Sequence, residues 1–141
     1  MNDGGQTADM AYNLRQTVRS HIGQIACLET PLWSPTLRAA GAVDCVAEWD
    51  GRLTICDWKT ARRPKLDAYV QDYRLQVTAY QLFHDELFGT SIEDYVIVIT
   101  CETGEVQIFT GKTADHKAEL IARIEAYYDL QADNHMAALA A

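Results

Sequence analysis

Apolar positions recur at two different periods along this chain, and the switches between them mark the elements. Residues 8–26 carry Met10, Leu14, Val18, Ile22 and Ile25 at a helical period, which predicts an amphipathic helix. Thr7 is placed to cap it, and Gly23 leaves its last turn loosely specified. Ala26 to Leu32 is short, apolar and extended, and Pro31 points to a sheet edge or a strand end. Residues 33–40 read as a loop. Gly41 to Glu48 (GAVDCVAE) alternates, with Val43, Cys45 and Ala47 on one face and Asp44 and Val46 on the other. Asp50-Gly51 is a tight-turn signal, and Arg52 to Trp58 (RLTICDW) alternates again. Two antiparallel strands joined by a hairpin follow.

Beyond Trp58 a basic loop is predicted over residues 59–64. The helical period then returns over residues 67–88, with Tyr69, Tyr73, Val77, Tyr80 and Leu87 among its positions, and Gly89 stops it. Asp94 to Cys101 (DYVIVITC) is a near-continuous apolar run of strand length, the pattern of a central strand buried on both faces. Residues 102–105 form a turn, Val106 to Thr110 a strand, and residues 113–130 a last helix capped by Thr113. Residues 1–7 and 131–141 are expected to fray at the ends of a single domain spanning 1–141. The order α, β, β-hairpin, α, β, β, α predicts an α/β fold, a central mixed β-sheet flanked by helices.

Composition narrows what such a domain does. At 141 residues the chain can bury a real core. No apolar stretch reaches membrane-spanning length, and the N-terminus lacks the basic-then-apolar order of a secretory signal. Cys27, Cys45, Cys56 and Cys101 are scattered in apolar stretches without a CxxC pair, so buried free thiols are expected rather than a zinc site. A net charge of −8 argues against a broad phosphate-binding surface, so any nucleic-acid partner must meet a local basic patch. The dense cationic cluster is Lys59, Arg62, Arg63, Lys65 and Arg74. It reads equally as a grip on phosphates or as a solvated basic surface.

The chemistry-bearing residues lie on the hairpin. Asp44 sits inside one strand, and Asp57 near the end of the strand paired with it. Lys59, two residues on, points to the same side as Asp57. Carboxylates in such apolar surroundings are costly unless paired or bound to a cation. Magnesium takes carboxylate oxygens and keeps several waters, which suits phosphate substrates. The spacing alone supports a buried Asp57–Lys59 ion pair as well as it supports a metal site.

A longer pattern is also present. GAVDCVAEWDGRLTICDWKTARRPK followed by YRLQVTAY resembles the PD-(D/E)XK nuclease superfamily, in its RecB-like branch. There a GxxD strand precedes a (D/E)xKT strand end and a helix carrying QxxxY. The matches are Gly41 with Asp44, then Asp57-Trp58-Lys59-Thr60, then Gln76 with Tyr80. The run from Glu29 through Lys65 looks especially similar to exonucleases of that branch, phage enzymes among them, and the likeness extends to about residue 130.

This resemblance implies a restriction-endonuclease-like core and a nuclease dependent on Mg²⁺ or Mn²⁺. The substrate it implies is DNA, single-stranded DNA cut as an exonuclease above all, with water activated by the metal. It makes Asp44, Asp57 and the Trp58 backbone carbonyl metal ligands and Lys59 the catalytic lysine. Glu29 resembles the upstream acidic residue that some members add. Gln76 and Tyr80, one helical turn apart, border the substrate, and Arg62, Arg63 and Lys65 lie beside it. Trp33, Trp49 and Trp58 are candidates to stack bases, with packing the stronger expectation for each. His21 lies too close to Asp44 to match the histidine that the family places on an earlier helix, so it is expected to be a surface or packing residue. No iron–sulfur cluster is expected. Longer members add an N-terminal helical region around single strands. This chain has room there for one helix, so the expectations are a minimal nuclease, one subunit of an assembly in which a second copy or a partner supplies such a region, or an enzyme of short or flexible substrates. A non-catalytic nucleic-acid- or partner-binding module with the same fold is the other reading. The implied location is cytoplasmic, in a bacterial or phage-infected cell.

Overall fold

The computed structural model describes residues 3–140. In chain order the elements are α1 (Asp3–Arg19), β1 (Ile22–Ser34), β2 (Ala39–Trp49), β3 (Arg52–Ala61), α2 (Gln71–Phe88), β4 (Asp94–Cys101), β5 (Val106–Lys112) and α3 (Lys117–Ala140). Short 3-10 turns, Asp67–Val70 and Thr113–His116, lead into α2 and α3. The five strands form one sheet in the order β1-β2-β3-β4-β5. Three pairings are antiparallel, and β3–β4 alone is parallel. A parallel pair needs a long crossover, and α2 with its flanking loops provides it. The fold is thus α/β, a mixed five-stranded sheet flanked by three helices, as expected from the element order.

The β2–β3 turn follows its sequence signal. Asp50 (φ 52°) and Gly51 (φ 83°) both take left-handed backbone, as a two-residue hairpin turn of the I′ kind requires. Each sheet face then builds its own core. Leu32, Val46, Ile55, Ile97 and Ile99 pack under Val77, Tyr80 and Phe83 of α2. Cys45, Ala47, Trp49, Cys56, Val96 and Val98 form the opposite face, against Leu14 and Val18 of α1. Val43 joins the α2-side cluster rather than that of Cys45 and Ala47. β4 is buried from Tyr95 to Cys101, as its continuous apolar run predicts. No helix among the described residues is long and apolar enough to cross a membrane.

Several boundaries depart from expectation. The first helix starts at Asp3, so Thr7 lies inside it rather than at its cap, and residues 3–7 are helical rather than frayed; residues 1 and 2 lie outside the described residues. It ends at Arg19, and Ile22 and Ile25 belong to β1. Their spacing fits either period. The sheet wins because the Asp50 amide bonds the His21 carbonyl (2.9 Å) and ties this corner to the β2–β3 turn. β1 runs on to Ser34 and β2 begins at Ala39, which shortens the expected 33–40 loop to a four-residue turn. β3 continues to Ala61, because its parallel pairing with β4 persists to Ala61↔Cys101. The basic loop therefore starts at Arg62. α3 stays helical through Ala140, although every residue from 131 is exposed, consistent with its alanine-rich sequence; residue 141 lies outside the described residues.

Candidate active site

Strand parity places the central residues. Ile55 points into the α2-side core, so Asp57 and Lys59 share that face. Asp57 is 2% exposed and Lys59 half-buried. Pairing of β3 with the buried strand β4 (Asp57↔Ile97, Lys59↔Ile99) holds both rigidly.

Asp44 enters from β2, one residue past the last β2–β3 pair, Cys45↔Cys56. Its Oδ2 accepts a hydrogen bond from the Trp58 amide at 2.8 Å. The carboxylate thus fills the gap where the two strands part. A strand residue turns its N–H and C=O toward the same neighbour, so the Trp58 carbonyl faces this gap too.

Lys59 Nζ lies 3.1 Å from Asp57 Oδ2. It also donates to Gln76 Oε1 at 2.7 Å, and Gln76 Nε2 donates to the Tyr80 hydroxyl at 2.7 Å. Lys59 has no ion pair with Asp44, so a lysine shared by both aspartates is not what forms. Asp57 Oδ2 has no well-directed hydrogen bond, since the ammonium stands close but off the bonding direction. Burial pushes the Asp57 carboxyl up to about 7; the Lys59 charge opposes that rise and Asp44 adds to it. Burial also raises the Tyr80 phenol, which therefore remains a neutral hydroxyl.

The glycine of the GxxD run has a packing role. A Cβ on Gly41 would stand 2.8 Å from Tyr80 Cε1. Gly41→Ala must push Tyr80 and, through Gln76, the lysine. We predict a loss of about 1–3 kcal/mol in urea unfolding, the usual cost of overpacking, together with reduced activity.

The residues fit a hard divalent cation. Two adjacent carboxylates, an under-bonded buried oxygen and a backbone carbonyl make an oxygen donor set, and Mg²⁺ is commonly held by one or two carboxylates. Among the described residues no three His, Cys, Asp or Glu side chains form a metal-binding group, so the aspartate pair is the side-chain contribution. Glu29 is exposed, between the β1–β2 pairs Leu28↔Cys45 and Thr30↔Val43 and so level with Asp44. Its φ of 44° is strained for a non-glycine residue inside a strand.

The basic cluster divides. Arg62 and Arg63 are exposed and Lys65 is half-buried. Gln107 of β5 clasps the Lys65 backbone at both N and O, each at 2.8 Å, and so anchors the loop. Arg74 is not part of this surface. It is buried and donates to the Tyr95 hydroxyl (3.1 Å) and to the Asp67 carbonyl (3.0 Å) and carboxylate. The tryptophans divide as well. Trp49 is buried and Trp58 packs against it (6.4 Å between rings). Trp33 is 51% exposed, but its neighbours Leu32 and Ser34 are buried, so it faces the other side of β1. His21 stacks on Trp49 (4.6 Å) and its Nδ1 pairs with Asp50 (2.8 Å) at the far hairpin end, the packing role expected of it.

Three supports are not readable from spacing: the Gln107 clasp, the Arg74–Asp67 tie, and Glu86 of α2, which accepts from Ser34 and Thr36 at the β1–β2 turn. The first and third join residues more than 40 positions apart in sequence, and the second spans seven. A cavity of about 590 Å³ opens beside the strand end, lined by Met10, Leu14, Trp58, Lys59, Thr60 and Arg62 among others.

The family model of the PD-(D/E)XK nuclease superfamily matches residues 6–138, and the chain belongs to that superfamily. Among curated relatives it is similar to mitochondrial genome maintenance exonuclease 1 of Mus musculus, 34% identical over 92 residues. The Homo sapiens protein of that name is 33% identical over 94 residues. Each match covers 63% of this chain and 27% of the relative, so the chain spans about a quarter of their length. A solved structure from Eubacterium rectale, assigned as an exonuclease, shares the fold with a TM-score of 0.63 at 13% identity, over 86% of this chain and 50% of that one.

Proposed function

We propose that this chain is a Mg²⁺- or Mn²⁺-dependent nuclease that hydrolyses DNA phosphodiester bonds, acting on single-stranded DNA as an exonuclease. One observation carries the reading: a buried carboxylate with an under-bonded oxygen, Asp57, lies beside Asp44 and within 3.1 Å of Lys59. A fold stabilised only by its core gains nothing from such an oxygen. Membership of a nuclease superfamily and the exonuclease names of the relatives support it.

In this reading Asp44, Asp57 and the Trp58 carbonyl hold the cation, with Glu29 the neighbouring acidic group. When bound, the cation offsets phosphate charge and makes a neighbouring water easier to deprotonate. Lys59 keeps a fixed positive charge where charge develops on the phosphoryl oxygens. Gln76 takes one of the lysine's donors and so sets its direction, and Tyr80 sets Gln76. Arg62, Arg63 and Lys65 hold the strand's phosphates, a local patch that works despite the net charge of −8.

The test is cleavage of end-labelled single- and double-stranded DNA with Mg²⁺ or Mn²⁺. The expected result is shortening of the single strand from an end, abolished by chelator and by Asp44→Ala or Asp57→Ala. Cleavage that survives both substitutions overturns the site. No cleavage with either metal, alongside DNA binding that Asp44→Ala leaves unchanged, overturns the enzyme reading in favour of a non-catalytic module.

A further inference from the structure

We propose that Tyr69 is a nucleobase-stacking platform at the mouth of the site, and that it makes the chain select base-bearing single strands. The inference rests on the nuclease reading for its substrate class and concerns a residue to which that reading gives no role.

The helical period places Tyr69 on the core-facing stripe of α2, yet its ring is 72% exposed. The cause is local. Asp67–Val70 is a 3-10 turn, tighter than the α-helix that follows, and it rotates Tyr69 off the buried stripe. The turn is held firmly. Arg74, itself buried, donates to both the carbonyl and the carboxylate of Asp67, and the Tyr69 amide bonds the Leu66 carbonyl at 2.9 Å. Val70 is fully buried immediately beyond. A large aromatic ring is thus displayed in water by a braced segment rather than by a loose one.

Its surroundings identify the occupant. Tyr73, one helical turn along, lies with its ring centroid 4.9 Å from Lys59 Nζ. Gln76, the partner of Lys59, is a further turn on. Tyr69 therefore stands roughly 10 Å along the helix axis from Gln76, from the rise per residue, in the turn that precedes these two residues. Between Lys59 and Tyr69 the chain carries the exposed Arg62 and Arg63 and an exposed Leu66 (70%). Among the described residues the remaining large exposed aromatic rings, Tyr12, Trp33, Phe88 and Tyr127, lie outside the segment between Lys59 and Gln76. An aromatic face beside backbone-binding cations is how proteins hold single-stranded nucleic acid, because every base offers a π-face while duplex bases are already stacked. A protein surface would be met by an apolar patch; here one ring and one leucine share their segment with the exposed Arg62 and Arg63, while the neighbouring Asp67 and Asp72 are each paired with an arginine.

The experiment measures equilibrium binding in chelator, where nothing is cut. The probes are a fluorescent oligodeoxythymidylate and an oligomer of the same length and charge built from abasic sites. Wild type, Tyr69→Ala and Tyr69→Trp are compared, with melting temperature as the folding control, which an exposed ring should not move. Tyr69→Ala is expected to weaken thymidylate binding roughly 5- to 150-fold, the worth of one stacked base. Tyr69→Trp should retain it, and the abasic oligomer should bind wild type and Tyr69→Ala alike. Equal weakening of both oligomers, no weakening of either, or no preference of wild type for bases overturns the proposal. So does recruitment of a protein at Tyr69 with DNA binding untouched. Failure of the nuclease reading looks different: wild type then cuts no DNA with Mg²⁺ or Mn²⁺, whatever the base dependence of binding.

Discussion

Asp57→Asn is expected to remove DNA cleavage and, in the same protein, to raise the melting temperature measured in chelator. The two effects have one cause. The Asp57 carboxyl is pushed up to about 7 chiefly by burial, and its Oδ2 lacks a well-directed partner. An under-satisfied buried group costs about 1–3 kcal/mol. An asparagine of the same shape carries an amide that can donate toward Asp44 and an oxygen that can accept from Lys59, so the local conflict is relieved. A gain near 1 kcal/mol corresponds to roughly 3–5 °C for a domain of this size. Activity moves the other way, because a neutral amide is a poor ligand for a hard cation. Differential scanning calorimetry without metal and a cleavage assay with Mn²⁺ read the two arms. If the variant melts lower and still cuts, Asp57 is a structural ion-pair partner and the site assignment fails. A Mn²⁺ titration by calorimetry adds a third readout, with heat expected for wild type and none for the variant.

Legibility from sequence followed the physics of each element. Asp57 and Lys59 were readable as neighbours on one face because strand side chains alternate strictly, and β3 obeys that rule through Ala61. The Asp50-Gly51 turn and the buried β4 run were readable for similar reasons, being local backbone preference and simple burial. The α1–β1 boundary was not, since Ile22 and Ile25 satisfy both periods and only pairing with β2 decides between them. Arg74 and Tyr69 exchanged places relative to expectation. A cation expected at the surface is buried because Asp67 and Tyr95 satisfy its donors, and a ring expected in the core is exposed because a 3-10 turn precedes the α-helix. Composition suggests neither, because one outcome depends on side-chain partners seven and 21 residues away and the other on the backbone geometry of a single turn. The residues themselves left metal site and ion pair equally open; the ordered pattern from Gly41 to Tyr80 pointed to the chemistry, and the structure adds the uneven bonding of Asp57.

The remaining large effect lies one helix away from the aspartates. Gln76→Ala is expected to lower kcat about 10- to 100-fold while moving KM little, and Tyr80→Phe to produce a smaller loss of the same kind. Lys59 hangs on a flexible stem, and its ammonium is fixed by Asp57 at 3.1 Å and Gln76 at 2.7 Å, with the Tyr73 ring 4.9 Å away. Without the amide, the lysine is drawn toward Asp57 and away from where charge develops on the phosphate. Misplacing a positioned group by about 1 Å can cost on the order of 100-fold. Tyr80→Phe deletes only the acceptor of Gln76 Nε2, so Gln76 still reaches Lys59 with a looser aim. Gln76→Glu should be as damaging as the alanine, because a carboxylate there adds a further negative charge to the site, partly neutralises Lys59 and donates nothing to Tyr80. The grading is the informative part. A purely structural role for α2 would make Tyr80→Phe and Gln76→Ala act through stability, with losses tracking the melting temperature. A positioning role makes kcat fall while the unfolding midpoint of the half-buried Gln76→Ala variant stays close to wild type. Steady-state kinetics on single-stranded DNA with parallel urea titrations separates them, and equal kcat in all three variants would remove Gln76 from any part in directing Lys59.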